Sequence, residues 1–278
     1  MATSNDSLYL TVAVQQIRGY SERVEKRDNL WNALGITYRE WGKADESLAH
    51  YAEAESRYQH LGQLADVADV LLDMGRTRYE AHDYSAATPS LQHAIEVSQH
   101  IAPQTHLQSL RWLAVVQARL GDSDQADQAI TQAKQSAQLS DFIDVQAACH
   151  AASITICATR DNLPDARQAL DKASELYRQI GDELGIADAE IELAKAEAVA
   201  GNPQLATMSY ARAAETYRRF NRFHRLAKTQ RAMGALLLEA DDPHARQTLL
   251  EAAQLFDACD CSEDARAIRQ KLGSPPAP

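Results

Sequence analysis

A period of about 40 residues, held in phase by small side chains, runs through nearly the whole chain. Turn-forming positions recur at Gly42, His82, Gly121, Asp161, Gly201 and Ala240, spaced 40, 39, 40, 40 and 39 residues apart. Five residues past each anchor stand Ser47, Ala87, Ala126, Ala166, Ala206 and Ala245, and twelve past stand Ala54, Ala94, Ala133, Ala173, Ala213 and Ala252. Larger groups fill the ninth position (Tyr51, Leu91, Ile130, Leu170, Tyr210, Leu249) and, in four of six cases, the sixteenth (Tyr58, Tyr177, Tyr217, Phe256). A fixed period of this length marks a repeat array in which one supersecondary unit stacks on the next. The small residues have a mechanical reason: antiparallel helices approach closely only where one of them presents little side chain. The clearest unit runs from Asp182 to Asn221, two amphipathic segments joined by Gly201-Asn202-Pro203.

At these residues the chain resembles the tetratricopeptide repeat family. Its first unit carries Trp31, Leu34-Gly35 and Tyr38, then Gly42, Ser47, Tyr51 and Ala54. The second repeats the Gly as Met74-Gly75, and the last as Met233-Gly234 if its turn lacks one residue. Ala114, Ile154 and Ala194 replace that Gly in between. The period exceeds the roughly 34 residues usual in the family, which places the chain nearer its long-repeat subclass. The resemblance implies an all-α, right-handed solenoid of about six hairpins. They span 23–62, 63–101, 102–141, 142–181, 182–221 and 222–261. A capping helix is expected over 1–22, and a second over 262–278, ending in a Pro-rich tail. Gly62, Asp141, Gly181 and Asn221 share a phase at which a left-handed residue ends the second helix. Pro89 is placed early in its helix, near the first turn, where a missing N–H costs little, and Pro103 is read as a break before a helix from Thr105 to Leu120.

The net charge of −11 argues against general nucleic-acid binding, which needs a basic face. No apolar run approaches the roughly 20 residues that span a bilayer, and the Leu8–Val14 run lacks the basic start of a signal peptide. Cys149, Cys157, Cys259 and Cys261 are too few, and too poorly spaced, to staple an array, so a reducing, cytoplasmic setting is expected. There is no phosphate-cradling Gly loop, no metal-binding His pair and no nucleophile elbow. The expectation is a non-enzyme without metal or cofactor. Cys259 and Cys261 read as small thiols at a helix end, and Cys149-His150, adjacent on a helix, do not face each other.

In the tetratricopeptide family the first helices line a concave groove that takes a peptide. Carrying that phase over selects Asn29, Asn32 and Arg39 from the first unit, Asp69, Arg76 and Tyr79 from the second, and Gln108, Arg111 and Trp112 from the third. Later units contribute Thr155, Asp188, Glu192 and Lys195. The Asn and Gln amides suit a peptide backbone, the Arg pair suits carboxylates, and the aromatic pair suits an apolar anchor. Asn32 and Ile36 stand where the chaperone-binding subclass carries Lys and Asn, so recognition of chaperone C-termini does not carry over.

One basic run departs from the acidic background: Arg218, Arg219, Arg222, Arg225, Lys228 and Arg231 occur with no acid between them. It suits an acidic peptide, a phosphate group or the acidic end of another copy of the chain; it equally suits a bend whose charges balance flanking acidic helices. The chain is thus expected to be a protein–protein interaction scaffold that holds a peptide segment, acidic with an apolar anchor. The alternative is a signalling or transcription-regulatory subunit resembling bacterial peptide-pheromone sensors. Only about 20 residues precede the first hairpin, so an effector part is expected on another chain or beyond this sequence.

Overall fold

The structure, a computed structural model, describes residues 29–273. The expected N-terminal capping helix and the end of the C-terminal tail lie outside the described residues. Thirteen α-helices and no strand occur among those described. They pair as hairpins: α1 (Leu30–Glu40) with α2 (Ala44–Leu61), α3 (Leu64–Glu80) with α4 (Tyr84–Ser98), and α5 (Pro103–Leu120) with α6 (Ser123–Leu139). Then come α7 (Ile143–Ala158) with α8 (Leu163–Gln179), α9 (Glu183–Val199) with α10 (Pro203–Arg219), and α11 (Phe223–Glu239) with α12 (Ala245–Ala258). A last helix, α13 (Ser262–Lys271), follows. The fold is all-α and built from helical hairpins.

The chain forms two compact units, one ending at His106 and the other beginning at Leu107, so that their boundary falls inside α5. In the first unit one cluster joins both hairpins: Tyr51 and Tyr58 of α2 meet Val67, Val70 and Met74 of α3 and Ala94 of α4. In the second unit the core is strung out as successive small clusters. Ile154, Ala166 and Leu193 make one, Ala194, Ala206 and Tyr210 the next, and Leu249, Phe256 and Ile268 another. Each draws on helices adjacent in the chain, as expected of a stack whose units touch only their neighbours.

The small residues five and twelve past each anchor are all buried, from Ser47 and Ala54 through Ala206 and Ala213 to Ala245 and Ala252. Gly75 explains what they permit. A Cβ there would lie 2.6 Å from Cγ and Cδ2 of Leu91 on the partner helix, inside any real contact distance. Gly35 makes the same space for Tyr51, and the Gly35 carbonyl accepts a 2.8 Å hydrogen bond from the Ser47 hydroxyl. The small and large positions therefore form one crossing, repeated.

Helix ends obey an equally strict rule. Left-handed residues stand 20 apart at Gly42, Gly62 and His82 in the first unit, and at Gly121, Asp141, Asp161, Gly181, Gly201, Asn221 and Asp241 in the second. At each, the next N–H reaches back to close the helix: Lys43 to the Tyr38 carbonyl, Asn202 to that of Glu197, Asp242 to that of Leu237. Asp and Asn tolerate this conformation through their short polar side chains.

Three sequence expectations need correction here. The sixth anchor is Asp241, at φ 52°, not Ala240, which is the helix C-cap as Ala200 is for Gly201. The missing residue follows the anchor: Ala245 donates to the Asp242 carbonyl three residues back, where Ala206 donates to that of Asn202 four back, and Ala245 opens α12. Pro89 lies in the interior of α4, five residues past Tyr84, so it removes a helical hydrogen bond rather than sitting in the first turn. Pro103 does not break the chain; it opens α5, where a missing N–H costs nothing.

Candidate functional site

The first helices of neighbouring hairpins meet through polar side chains in each unit. In the first unit Arg39 of α1 is 7% exposed, and its Nη1 lies 3.5 Å from the Asp73 carboxylate of α3. Arg76, one turn on, donates to the same carboxylate oxygen at 3.1 Å. Two guanidinium groups thus share one acid, and Arg39 Nε and Nη1 find no hydrogen-bond acceptor among the described residues. Asn32 Oδ1 on the same helix is likewise buried and without a donor among them. A buried polar group left unsatisfied costs about 1–3 kcal/mol, more when charged, and so calls for an explanation.

The remaining candidates of the first unit are tied to neighbours. Asn29 precedes α1 and accepts from the Tyr58 hydroxyl at 2.7 Å. The Thr105 hydroxyl, near the start of α5, donates to Asp69 of α3 at 2.6 Å. The Tyr79 ring lies 5.4 Å from that of Tyr84, across the hairpin turn.

In the second unit Gln108 accepts from Arg111 Nε at 2.9 Å, and the Arg111 guanidinium lies 4.5 Å over the Trp112 ring. Such a cation–π stack contributes about 0.5–1 kcal/mol where exposed. Arg111 and Trp112 thus present one combined surface. Arg76 and Tyr79 belong to the first unit, Arg111 and Trp112 to the second.

A further network in the second unit links three first helices. Glu192 of α9 accepts from Lys195 at 2.6 Å, from the Thr155 hydroxyl of α7 at 3.0 Å and from Arg119 of α5 at 3.4 Å. Burial raises the Glu192 carboxyl, but Lys195, Arg119 and Thr155 outweigh it, and the net displacement is downward. The sequence marks Thr155, Glu192 and Lys195 separately and misses Arg119. Its signal, a basic residue in the last turn of a first helix as at Arg39, was visible.

The basic run is largely neutralised from other helices. Arg225 donates to Asp188 at 2.6 Å, Arg219 pairs with Glu183, and Arg231 pairs with Asp264 on α13. Arg231 also lies 5.2 Å over the Phe256 ring, and Arg219 5.1 Å over Phe220. Arg218 and Lys228 are exposed and Arg222 is half-buried. The pairs at Arg219, Arg225 and Arg231 match the balancing role.

The four cysteines are free. Burial pushes the Cys149 thiol up to about 11 and Cys259 up to about 12, away from the thiolate a nucleophile needs. Among the described residues no three His, Cys, Asp or Glu side chains are grouped to hold a metal ion, and no helix is long and apolar enough to cross a membrane.

The family model for the tetratricopeptide repeat matches residues 27–100. None of the curated proteins compared matches the chain. Similar solved structures include a Rap protein complexed with competence and sporulation factor, at 13% identity and a TM-score of 0.62, covering 88% of this chain and 74% of that one. A Rap conjugation gene regulator in complex with the Phr peptide is 14% identical, with a TM-score of 0.60 and coverage of 88% and 74%. Aspartyl phosphate phosphatase F from Bacillus subtilis is 12% identical, with a TM-score of 0.55 and coverage of 96% and 74%. At such identities the likeness is one of fold.

Proposed function

We propose that this chain, which carries tetratricopeptide repeats, is a non-enzymatic scaffold holding a peptide segment of a partner protein on the face of its first helices. The observation that carries the reading is the run of polar and aromatic side chains along the first helices: Arg39, Asp73 and Arg76 in the first unit, and Arg111 stacked on Trp112 in the second. An acidic segment is favoured by the arginines on this face, Arg76 in the first unit and Arg111 in the second. Arg111 stacked on Trp112 offers a charge and an apolar surface together. The setting is cytoplasmic, consistent with four free thiols.

A second reading, a peptide-sensing regulatory subunit, is favoured by the Rap structures, two of which hold a signalling factor or a Phr peptide. Both readings place the peptide on the same face and differ in what binding does next.

The test starts from capture of the partner from the source cytoplasm, followed by calorimetry with the recovered segment. Arg111→Ala combined with Trp112→Ala, neighbours in the second unit, is expected to weaken binding by roughly tenfold or more, since one charge-assisted hydrogen bond contributes about 1.5–3 kcal/mol and the apolar contact adds to it. Added salt should weaken the wild type more than the double variant. Equal affinities would move the site away from this face. Since one similar structure is a phosphatase, the purified chain should also be assayed against acetyl phosphate. Turnover there would overturn the non-enzymatic reading.

A further inference from the structure

A surface pocket of about 450 Å³ opens in the second unit between α6, α7 and α8. Two of its three walls are second helices, so it is separate from the first-helix face. Lys134 lines it from α6, His150 from α7, and Lys172, Glu175 and Leu176 from α8. Neither lysine forms an ion pair with a described residue. By contrast, Arg119, Arg167, Arg212 and Arg225 in the same unit each rest on a carboxylate.

The two ammonium groups act on each other and on the imidazole between them. Burial chiefly, then Lys134 and Lys172, push His150 down to about 4, and burial with Lys172 lowers Lys134 as well. Glu175 lines the pocket but is not paired with either lysine. With Glu175 the one carboxylate in the lining, Lys134 and Lys172 give this concave site in an acidic protein a net positive charge.

We propose that this pocket binds a small phosphorylated molecule, its phosphate held between Lys134 and Lys172. A monocarboxylate would neutralise one lysine and leave the other, whereas a phosphate monoester carries enough charge for both. Lysine serves as a point charge for such groups and imposes no bidentate geometry. Neutral His150 can donate its N–H to a phosphate oxygen. At about 450 Å³ the pocket has room for more than a phosphate group, which leaves space for a carrier attached to it. Leu176 offers that carrier an apolar contact, and Glu175 can accept from a carrier hydroxyl. A phosphorylated sugar meets all of these requirements.

The test uses the full chain with ribose 5-phosphate as the probe and ribose and inorganic phosphate as comparisons. Calorimetry at low ionic strength should show saturable binding of ribose 5-phosphate, weaker binding of inorganic phosphate and none of ribose. Lys134→Gln and Lys172→Gln, singly and together, should weaken it, the pair by roughly tenfold or more. Both lysines reach solvent, so these variants should keep the wild-type helical circular dichroism. A second readout follows the His150 C2 proton by NMR. Its titration midpoint, about 4 in the free protein, should rise when the probe is bound, because the phosphate monoanion present at that pH partly offsets Lys134 and Lys172. An unmoved midpoint with no heat at about 10 mM probe, some 2.7 kcal/mol of binding free energy, overturns the proposal. So does undiminished binding by the double lysine variant.

Discussion

Gly75→Ala tests the crossing on which the whole repeat depends. The new methyl would sit 2.6 Å from Leu91 Cγ and Cδ2, against the roughly 3.5–4.0 Å of a favourable carbon contact. Leu91 is 0% exposed, so it has no empty space to move into. Overpacking of this kind costs about 1–3 kcal/mol. Against it stands a helix-propensity gain of about 0.8–1.0 kcal/mol for replacing Gly in a helix interior. The net expectation is a loss of about 0–2 kcal/mol, small because the two terms oppose each other. The sharper test is a cycle with Leu91→Ala. That variant alone should cost about 2–5 kcal/mol through lost burial and a cavity. In its background the steric term is gone, and Gly75→Ala should stabilise by about 1 kcal/mol. The sign reverses, with a coupling of about 1–3 kcal/mol between the two positions. Urea unfolding followed by helical circular dichroism, on all four proteins, reads the cycle. If Gly75→Ala has the same sign and size in both backgrounds, close approach is not why glycine stands there.

Ala206→Leu and Ala213→Leu, both at fully buried positions, should each lower stability by about 1–3 kcal/mol in thermal or urea unfolding; two unchanged melting temperatures would contradict the repeat phase. Glu197→Gln should cost about 1–2 kcal/mol, the low end for charged hydrogen bonds because Arg167 is half-exposed. Glu197 itself is 2% exposed and accepts from Arg167 Nε at 2.6 Å and Nη2 at 3.0 Å, and from Asn202 at 2.8 Å. Arg167 holds the Glu197 carboxyl below its ordinary value, so the contribution is complete above the unfolded value of about 4.3 and lost as pH falls through the lower folded value. The stability gap between wild type and Glu197→Gln should therefore narrow in acid; a gap that persists well below that range would mean the carboxylate charge is not its source.

The sequence shows helix crossings and helix ends for the same reason: both are decided within one hairpin. Ala206 is small because the helix 12 residues before it must come close, and Asn221 is tolerated because only its own φ is at stake. The misplaced anchor at Ala240 follows from the one hairpin where that local rule has two solutions. A deletion before the turn or after it gives the same positions for Met233-Gly234 and Ala245. Only the bond from Asp242 to the Leu237 carbonyl distinguishes them. Pro89 is the sixth residue of a helix that begins at Tyr84, as the sequence indicates, and so lies beyond the first turn, where an N–H is no longer spare.

Charged side chains obey no such local rule. Arg39 meets an acid in the next hairpin, and Arg119 reaches past one hairpin to Glu192, 73 residues on. Those pairings depend on how far each first helix is rotated on the one before it, a quantity set by the summed packing of many apolar residues. The sequence could therefore propose that Arg76, Arg111, Tyr79 and Trp112 share a phase. The Asp73–Arg76 pair, three residues apart on one helix, is itself local; what the sequence could not show is that Arg39 reaches Asp73 from the hairpin before. The same physics explains why Lys134 and Lys172 escaped notice: each sits among unremarkable polar residues on its own helix. Their significance arises only once α6 and α8 stand beside α7 and no carboxylate pairs with either ammonium. A search of repeat proteins for unpaired cations on consecutive second helices, one period apart to within a turn, would find such sites from sequence. Here that interval is 38 residues, and an interval set by packing rather than by the repeat would argue that the lysines were placed for a ligand spanning both helices.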